Sequence, residues 1–223
     1  MRRLFFPLVL GLGGLAVLLA LGIWQLQRLQ WKEAILADID ARIMAAPVDV
    51  PQAPDPVADR FLPVTVTGDL TGQELHVLTS GDGPGYRVIA VLEAGDRRIM
   101  ADIGFVPIPD KDLPRAAANV TIIGNLHWPD EVDGWTPPPD PANIWFARDV
   151  PAMAAALGTE PVLVVLRTVS GADLGVTPLP IDTSTIKNDH REYAITWFLL
   201  ALVWAIMTGF LLFRTARAPQ GVI

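Results

Sequence analysis

One histidine of this chain stands directly before a long apolar stretch, and aromatic side chains follow it at helical spacing. Tyr193 and Trp197 come three and seven positions after His190, so on an α-helix the three side chains share one face. Imidazole is a common ligand for iron and other metals, and aromatic rings can lie against a flat hydrophobic molecule. A second set with similar spacing lies near the other end of the chain. Its members are Trp24, Arg28 and Trp31.

Three interpretations of the stripe after His190 stay open on the residues alone. Aromatic and charged side chains form belts at the level of lipid headgroups, which would also account for Trp24. Ala201, Ala205 and Gly209 form a small-xxx-small face that lets a second helix approach closely, with glycines in residues 11–16 as its counterpart. In the third interpretation His190 ligates haem iron and the aromatic rings flank the macrocycle.

The elements that would position these side chains are two apolar segments. Residues 4–24 and 193–213 carry no charge, and about 20 apolar residues are what a helix needs to cross a hydrocarbon core roughly 30 Å thick. We predict transmembrane helices over 4–24 and 190–213, with the first helix continuing to about residue 45. A cleaved signal peptide is the alternative for the first segment. It is disfavoured because the apolar run exceeds the usual length and no A-x-A site follows.

The distribution of charge predicts the topology. The ends beyond the two segments carry four arginines, whereas the part between them carries 24 acidic and 13 basic residues, a net charge of 13 − 24 = −11. By the positive-inside rule both termini, including the tail 214–223, face the cytoplasm and the central part is exported. The acidity also argues against a nucleic-acid partner.

Residues 46–187 predict an extracytoplasmic domain that is predominantly antiparallel β structure, a small sandwich or barrel. Several runs of β-branched or alternating residues are separated by Gly, Pro or Asp, and "EAGDRR" at 93–98 predicts a hairpin turn. The proline-rich residues 47–56 predict a tether or an extended arm.

The inventory of reactive groups argues against an enzyme. The chain has no cysteine, which excludes thiolate chemistry, and none of its three serines lies in a nucleophile-elbow context. No spacing typical of metal ligands is present, and we expect His76 and His127 to occupy ordinary surface or edge positions. A membrane-tethered hydrolase is disfavoured because no nucleophile–base pair can be named.

Two terminal motifs carry a resemblance to a known family. "LGIWQLQRLQWKEAIL" and "HREYAITWFLLALVW", with "GPGYRVIAVLEAGDRRIMADIGFVP" and "NIWFARDVPAM" between them, resemble the surfeit locus protein 1 family of cytochrome c oxidase assembly factors, in its bacterial form. The resemblance covers essentially the whole chain. It departs at Ile103, Gly104 and Phe105, where many members carry arginine and then glycine-tryptophan, so the role of that arginine is in doubt here.

The resemblance implies a membrane-bound assembly factor in the bacterial inner membrane, with a periplasmic central domain and no catalytic activity. It implies haem a as the cofactor, bound through His190, the largest oxidase subunit as partner, and haem A synthase as a further candidate partner. Helix spacing, rather than the resemblance, assigns the other residues: Tyr193 and Trp197 would line the haem, and Trp24, Arg28 and Trp31 would face it, with Arg28 pairing a propionate. The alternative is a cofactor-free accessory protein that clamps oxidase subunits during assembly.

Overall fold

The protein is described here from a computed structural model, which covers residues 2–80, 83–115, 117–184 and 186–217. The chain divides into two compact units. One consists of Met1–Asp38 and Ser184–Ile223, and the other of Ile39–Thr183.

The first unit is a pair of helices at the two ends of the chain. Helix α1 runs over Arg2–Ile43, of which the part up to Asp38 belongs to this unit, and helix α3 runs over His190–Arg217. Both are long and apolar enough to cross a membrane.

Glycines on α1 allow close contact between the two helices. A Cβ added at Gly14 would lie 2.6 Å from the Trp204 ring, and one at Gly11 would lie 2.1 Å from Thr208 Cγ2. The Trp204 indole donates a hydrogen bond to the Gly11 carbonyl oxygen at 2.9 Å. On α3 the predicted face of small residues holds only in part: Ala201 is buried, but Gly209 is exposed with open space beside it. The α3 side chains that meet the glycines of α1 are Phe198, Trp204 and Thr208.

The second unit is a β domain with one short helix. Its strands are β1 (Val48–Asp49), β2 (Pro63–Thr79), β3 (Gly85–Ala94), β4 (Arg97–Pro107), β5 (Ala118–Leu126), β6 (Ile144–Trp145) and β7 (Leu163–Ser170). A 3₁₀ turn spans Ile108–Asp110 and helix α2 spans Val150–Leu157. Part of the predicted proline-rich arm is strand β1, which pairs with β2. The predicted hairpin turn joins β3 to β4.

The strand pairings close into a ring. The long strand β2 pairs with β5 along its first half and with β3 along its second, and the ring continues through β4 and β7 back to β5. The long ladders are antiparallel, but β4 pairs with β7 in parallel, and the short strands β1 and β6 also pair in parallel with β2. The sheet is therefore mixed, so the expectation of antiparallel pairing was only partly correct. The reason is that the connection through α2 returns the chain to run alongside β4 in the same direction.

The core of the β domain has two apolar clusters. One is formed by strand residues, including Val64, Leu92 and Ile122. The other is formed where α2 packs on the sheet, and includes Ile89, Met153 and Leu157.

The segment that departs from the family pattern belongs to this core. Ile103 is buried in the first cluster. Gly104 has φ +129°, and a Cβ there would lie 2.3 Å from the carbonyl oxygen of Thr177, whose backbone pairs with that of Phe105. Position 103 therefore accommodates an apolar side chain, and position 104 requires a glycine.

Candidate functional site

His190 is the first residue of α3, placed at the start of the helix by a short charged segment. The Asp189 carbonyl oxygen accepts a hydrogen bond from the Tyr193 backbone N–H at 3.1 Å, which closes the first turn. The Asp189 carboxylate lies 2.7 Å from Lys187 Nζ, and this hydrogen bond and charge raise the pKa of the Lys187 ammonium. Charged groups therefore surround the imidazole on its own segment of chain.

The residue that meets His190 from α1 is Gln25. The Gln25 Oε1 atom lies 2.7 Å from His190 Nδ1, and only 9% of Gln25 is exposed. Gln25 directly follows the uncharged run 4–24, and His190 lies three positions before the uncharged run that starts at Tyr193. The two side chains thus join the corresponding ends of the two apolar segments.

An open groove lies beside this pair. Its volume is about 260 Å³, and it is lined by Gln25, Lys32, Lys187, Asp189, His190 and Tyr193, which we call the helix-mouth group. The Lys32 ammonium donates a hydrogen bond to the Lys187 carbonyl oxygen. Since sites that enclose drug-sized ligands measure roughly 300–1,000 Å³, this groove can receive one edge of a large flat ligand but cannot enclose it.

The structure brings some of the six candidate residues together and separates others. His190 and Tyr193 line the same groove, with 56% of Tyr193 exposed, and Trp197 is partly buried further along α3. Trp24 and Trp31 lie on an exposed face of α1, with 49% and 53% of their surfaces accessible. Arg28 packs against Trp31, with its guanidinium carbon 4.3 Å from the centre of the ring.

Comparison with known proteins decides the family. A model of the SURF1 family matches residues 12–202, a range that contains all six candidate residues. The chain belongs to the SURF1 family. The resemblance noted in the sequence is thereby confirmed.

Three named relatives match 83–93% of this chain. Surfeit locus protein 1 of Rattus norvegicus is 27% identical over 93% of this chain and 75% of the relative. A SURF1-like protein of Monosiga brevicollis is 30% identical, covering 87% and 83%. A SURF1-like protein of the bacterium Rickettsia felis is 27% identical, covering 83% and 88%.

Gln25 and Lys32 were missed by reasoning from the sequence. Their signal was present in the spacing, because Gly11, Leu18, Gln25 and Lys32 recur every seven residues along α1. Such a repeat keeps residues on one side of a helix. A polar side chain in register with glycines at a helix contact therefore marks the residue that faces the partner helix. Trp24 and Trp31 do not belong to this seven-residue repeat.

The β domain contains a second polar group, which we call the buried ion cluster: Arg87, Asp102, Glu131 and Arg148. Arg87 Nη1 lies 2.7 Å from Asp102 Oδ2, and Arg148 Nη1 lies 3.4 Å from the same oxygen. Arg148 also pairs with Glu131. Burial raises the pKa of the Asp102 carboxyl, and the two guanidinium groups oppose that effect.

The other two histidines belong to the β domain. His76 is only 4% exposed, with Nε2 3.1 Å from Glu74 Oε1, so the expectation of an ordinary surface or edge position is wrong for it. At this point β2 pairs with both β3 and β6, so His76 does not lie at an edge of the sheet. His127 is partly buried and stacks on Phe61 at 5.3 Å between ring centres. Within the described part of the chain, no three His, Cys, Asp or Glu side chains are placed to hold a metal ion together.

Proposed function

We propose that this protein is a non-enzymatic assembly factor for cytochrome c oxidase, which holds haem a through His190 and assists its insertion into the largest oxidase subunit. The observation that carries the proposal is the place of His190. It is an imidazole at the mouth of an apolar helix pair, with one ring nitrogen engaged by Gln25 and an open groove beside it. Membership of the SURF1 family supports the same proposal, through the resemblance on which the expectation of haem handling was based.

The residues present fit such a ligand. With His190 Nδ1 bonded to Gln25 Oε1, the other ring nitrogen would be the atom that ligates the haem iron. Tyr193 and Trp197 would lie against the macrocycle. The Lys32 ammonium lines the groove and would pair with a propionate, whereas the Arg28 guanidinium group lies over the Trp31 ring. When bound, haem a would supply the redox iron centre; the chain's own part is to bind it, orient it and release it.

The proposal places the protein in the bacterial inner membrane with both termini in the cytoplasm and the β domain in the periplasm. The support is the length and hydropathy of the two helices, together with four arginines beyond the uncharged runs and a net charge of −11 between them. Reporter fusions after Ala46 and after Ile223 should signal opposite sides of the membrane. Equal signals would contradict the two-span hairpin.

The proposed partners are the largest subunit of the oxidase, as acceptor of haem a, and haem A synthase, as its donor. An open groove that holds only one edge of a ligand is suited to transfer, because the remaining surface of the ligand stays accessible to a second protein. A cofactor-free clamp for oxidase subunits is the competing function.

The deciding experiment compares haem absorbance of the purified wild type and a His190→Ala variant after co-expression with the haem a pathway. We expect His190→Ala to insert normally, because a side chain at the end of α3 contributes little to a span of about 20 apolar residues. Its bound haem should fall at least tenfold, since the axial bond is lost. Arg191→Ala, an exposed neighbour, serves as the matched control and should bind like the wild type. Equal spectra and stoichiometries for wild type and His190→Ala would favour the cofactor-free clamp.

A further inference from the structure

Gln25 is a buried polar side chain at the helix contact, and its partner is the histidine of the proposed site. Its Oε1 atom lies 2.7 Å from His190 Nδ1, a distance typical of a strong hydrogen bond. A buried amide is costly when it is unpaired, so Gln25 and His190 hold each other in place. Position 25 also lies in register with Gly11 and Leu18 on the side of α1 that faces α3.

The chemistry of the amide fixes the state of the ring. A carbonyl oxygen accepts hydrogen bonds and cannot donate them. With the amide oxygen of Gln25 facing the ring, His190 Nδ1 is the donor of this hydrogen bond and carries the proton. In the neutral ring the lone pair is then on Nε2.

We propose that Gln25 is the positioning residue of the haem site, which fixes His190 in its Nδ1–H tautomer and thereby presents Nε2 to the iron. This inference rests on the proposed function for the identity of the ligand, but the tautomer itself is a property of the protein without haem. Histidines that ligate metals commonly donate their other ring N–H to an oxygen acceptor, which orients the ring and increases the basicity of the ligating nitrogen. Here the acceptor comes from the other apolar helix, so haem binding by α3 depends on correct pairing with α1.

The first test uses the haem-free protein. With ¹⁵N-labelled histidine in detergent micelles, the His190 ring of the wild type should show a protonated Nδ1 and an unprotonated Nε2 at a pH where the ring is neutral. In Gln25→Leu the preference for Nδ1–H should be lost. Gln27→Leu changes an exposed glutamine two positions away and should leave the wild-type signal intact. A wild-type ring protonated on Nε2, or an unchanged ring in Gln25→Leu, would overturn the inference.

The second test measures haem a affinity and midpoint potential. Loss of such an outer hydrogen bond typically weakens metal binding 10–100-fold, and we expect a loss in this range for Gln25→Leu. Its midpoint potential should rise, since a less basic axial ligand stabilises ferric iron less. Gln25→Glu keeps an oxygen acceptor and strengthens it, so it should retain binding and lower the potential. This variant also covers the case in which Gln25→Leu fails to fold.

The outcomes separate the two proposals. If the wild type binds no haem, the proposed function fails, and the tautomer measurement still decides the role of Gln25. If the wild type binds haem through His190 but the three Gln25 forms share one affinity and one potential, the proposed function stands and the positioning role of Gln25 is refuted.

Discussion

Polar side chains are set among apolar surroundings in two regions of this molecule, the helix-mouth group and the buried ion cluster. In the buried ion cluster two arginines face two carboxylates, so charges balance, and Asp102 Oδ2 alone serves both Arg87 and Arg148. In the helix-mouth group the ring of His190 uses one nitrogen for Gln25, and the Lys32 ammonium is held by a neutral carbonyl oxygen. Unused ligand capacity and uncompensated charge thus occur together in the helix-mouth group, beside an open groove.

The difference teaches how a structural polar group can be told from a binding group. A group whose charges are balanced within its own protein has no net charge left to offer a ligand, and its removal lowers stability. A group that keeps a lone pair and a charge next to a groove can give them to a ligand, and its removal lowers ligand binding. The following predictions test that separation.

The largest expected effect is on stability, from Asp102→Ala. Removing this buried carboxylate leaves Arg87 and Arg148 close together without the oxygen they share. Breaking a buried pair by removing one partner costs roughly 3–5 kcal/mol, and we expect a loss of this size in the free energy of unfolding of the β domain. Chemical unfolding of the full chain in detergent, followed by the circular dichroism of the strands, measures it.

The matched control for this variant is Asp112→Ala. Asp112 is exposed and pairs with its neighbour Lys111, so its loss should leave the free energy of unfolding nearly unchanged. Haem binding should be retained by folded Asp102→Ala protein. Equal stabilities for the two variants would mean that the buried ion cluster does not support the fold.

The next effect is a dependence of stability on pH that originates at His127. Burial, and then the charges of Arg148 and Arg60, lower the pKa of His127 from 6.5 to about 4. The unfolded chain therefore binds a proton between these pH values that the folded protein does not. The free energy of unfolding is therefore highest above pH 6.5 and decreases as the pH falls toward about 4.

His127→Phe should remove this pH dependence, which amounts to roughly 3 kcal/mol over the window, because phenylalanine can stack on Phe61 but does not titrate. The measurement is the free energy of unfolding of wild type and variant at several pH values between 7 and 4. The difference between the two curves should change through this window. Parallel curves would show that His127 is not held neutral by the fold.

The sequence was sufficient for the parts of this structure that depend on local patterns. Uncharged runs marked the two apolar helices, and turn residues such as those at 93–98 marked the hairpin between β3 and β4. The parallel pairing of β4 with β7 could not be predicted in this way, since it depends on how the chain returns after α2.

In the candidate site, too, local features could be predicted from the sequence and long-range contacts could not. His190 could be identified from its own surroundings in the sequence, whereas its partner Gln25 is 165 positions away. Trp24 and Trp31 were predicted from their aromatic side chains, but both are exposed. Close pairing of two helices depends instead on residues that are small enough to permit contact. The glycines Gly11 and Gly14 determine that face, and Gln25 follows from their register.

The smallest expected effect concerns the cation that we propose to pair with the propionates of haem a. Arg28 was assigned to this role from the sequence, but in the structure its guanidinium group lies over Trp31, and the lysine Lys32 lines the groove. A solvent-accessible ion pair contributes roughly 0.2–1 kcal/mol, so we expect Lys32→Gln to weaken haem a binding by about two- to fivefold. Arg28→Gln should weaken it by less than about twofold, because Arg28 would first have to leave its aromatic contact.

Titration of both variants with haem a at low and high salt would measure these effects. Glutamine keeps an N–H donor at position 32, so a loss in Lys32→Gln reports the missing charge, and it should shrink at high salt as screening increases. Stability should be unchanged in both variants, in contrast to Asp102→Ala. If Arg28→Gln shows the larger and salt-dependent loss, Arg28 pairs with the propionates as the sequence suggested, and the exposed face of Trp24 and Trp31 becomes part of the haem site. If neither variant changes affinity, the uncompensated charge of the helix-mouth group has no part in binding, and His190 with Gln25 carries the site without it.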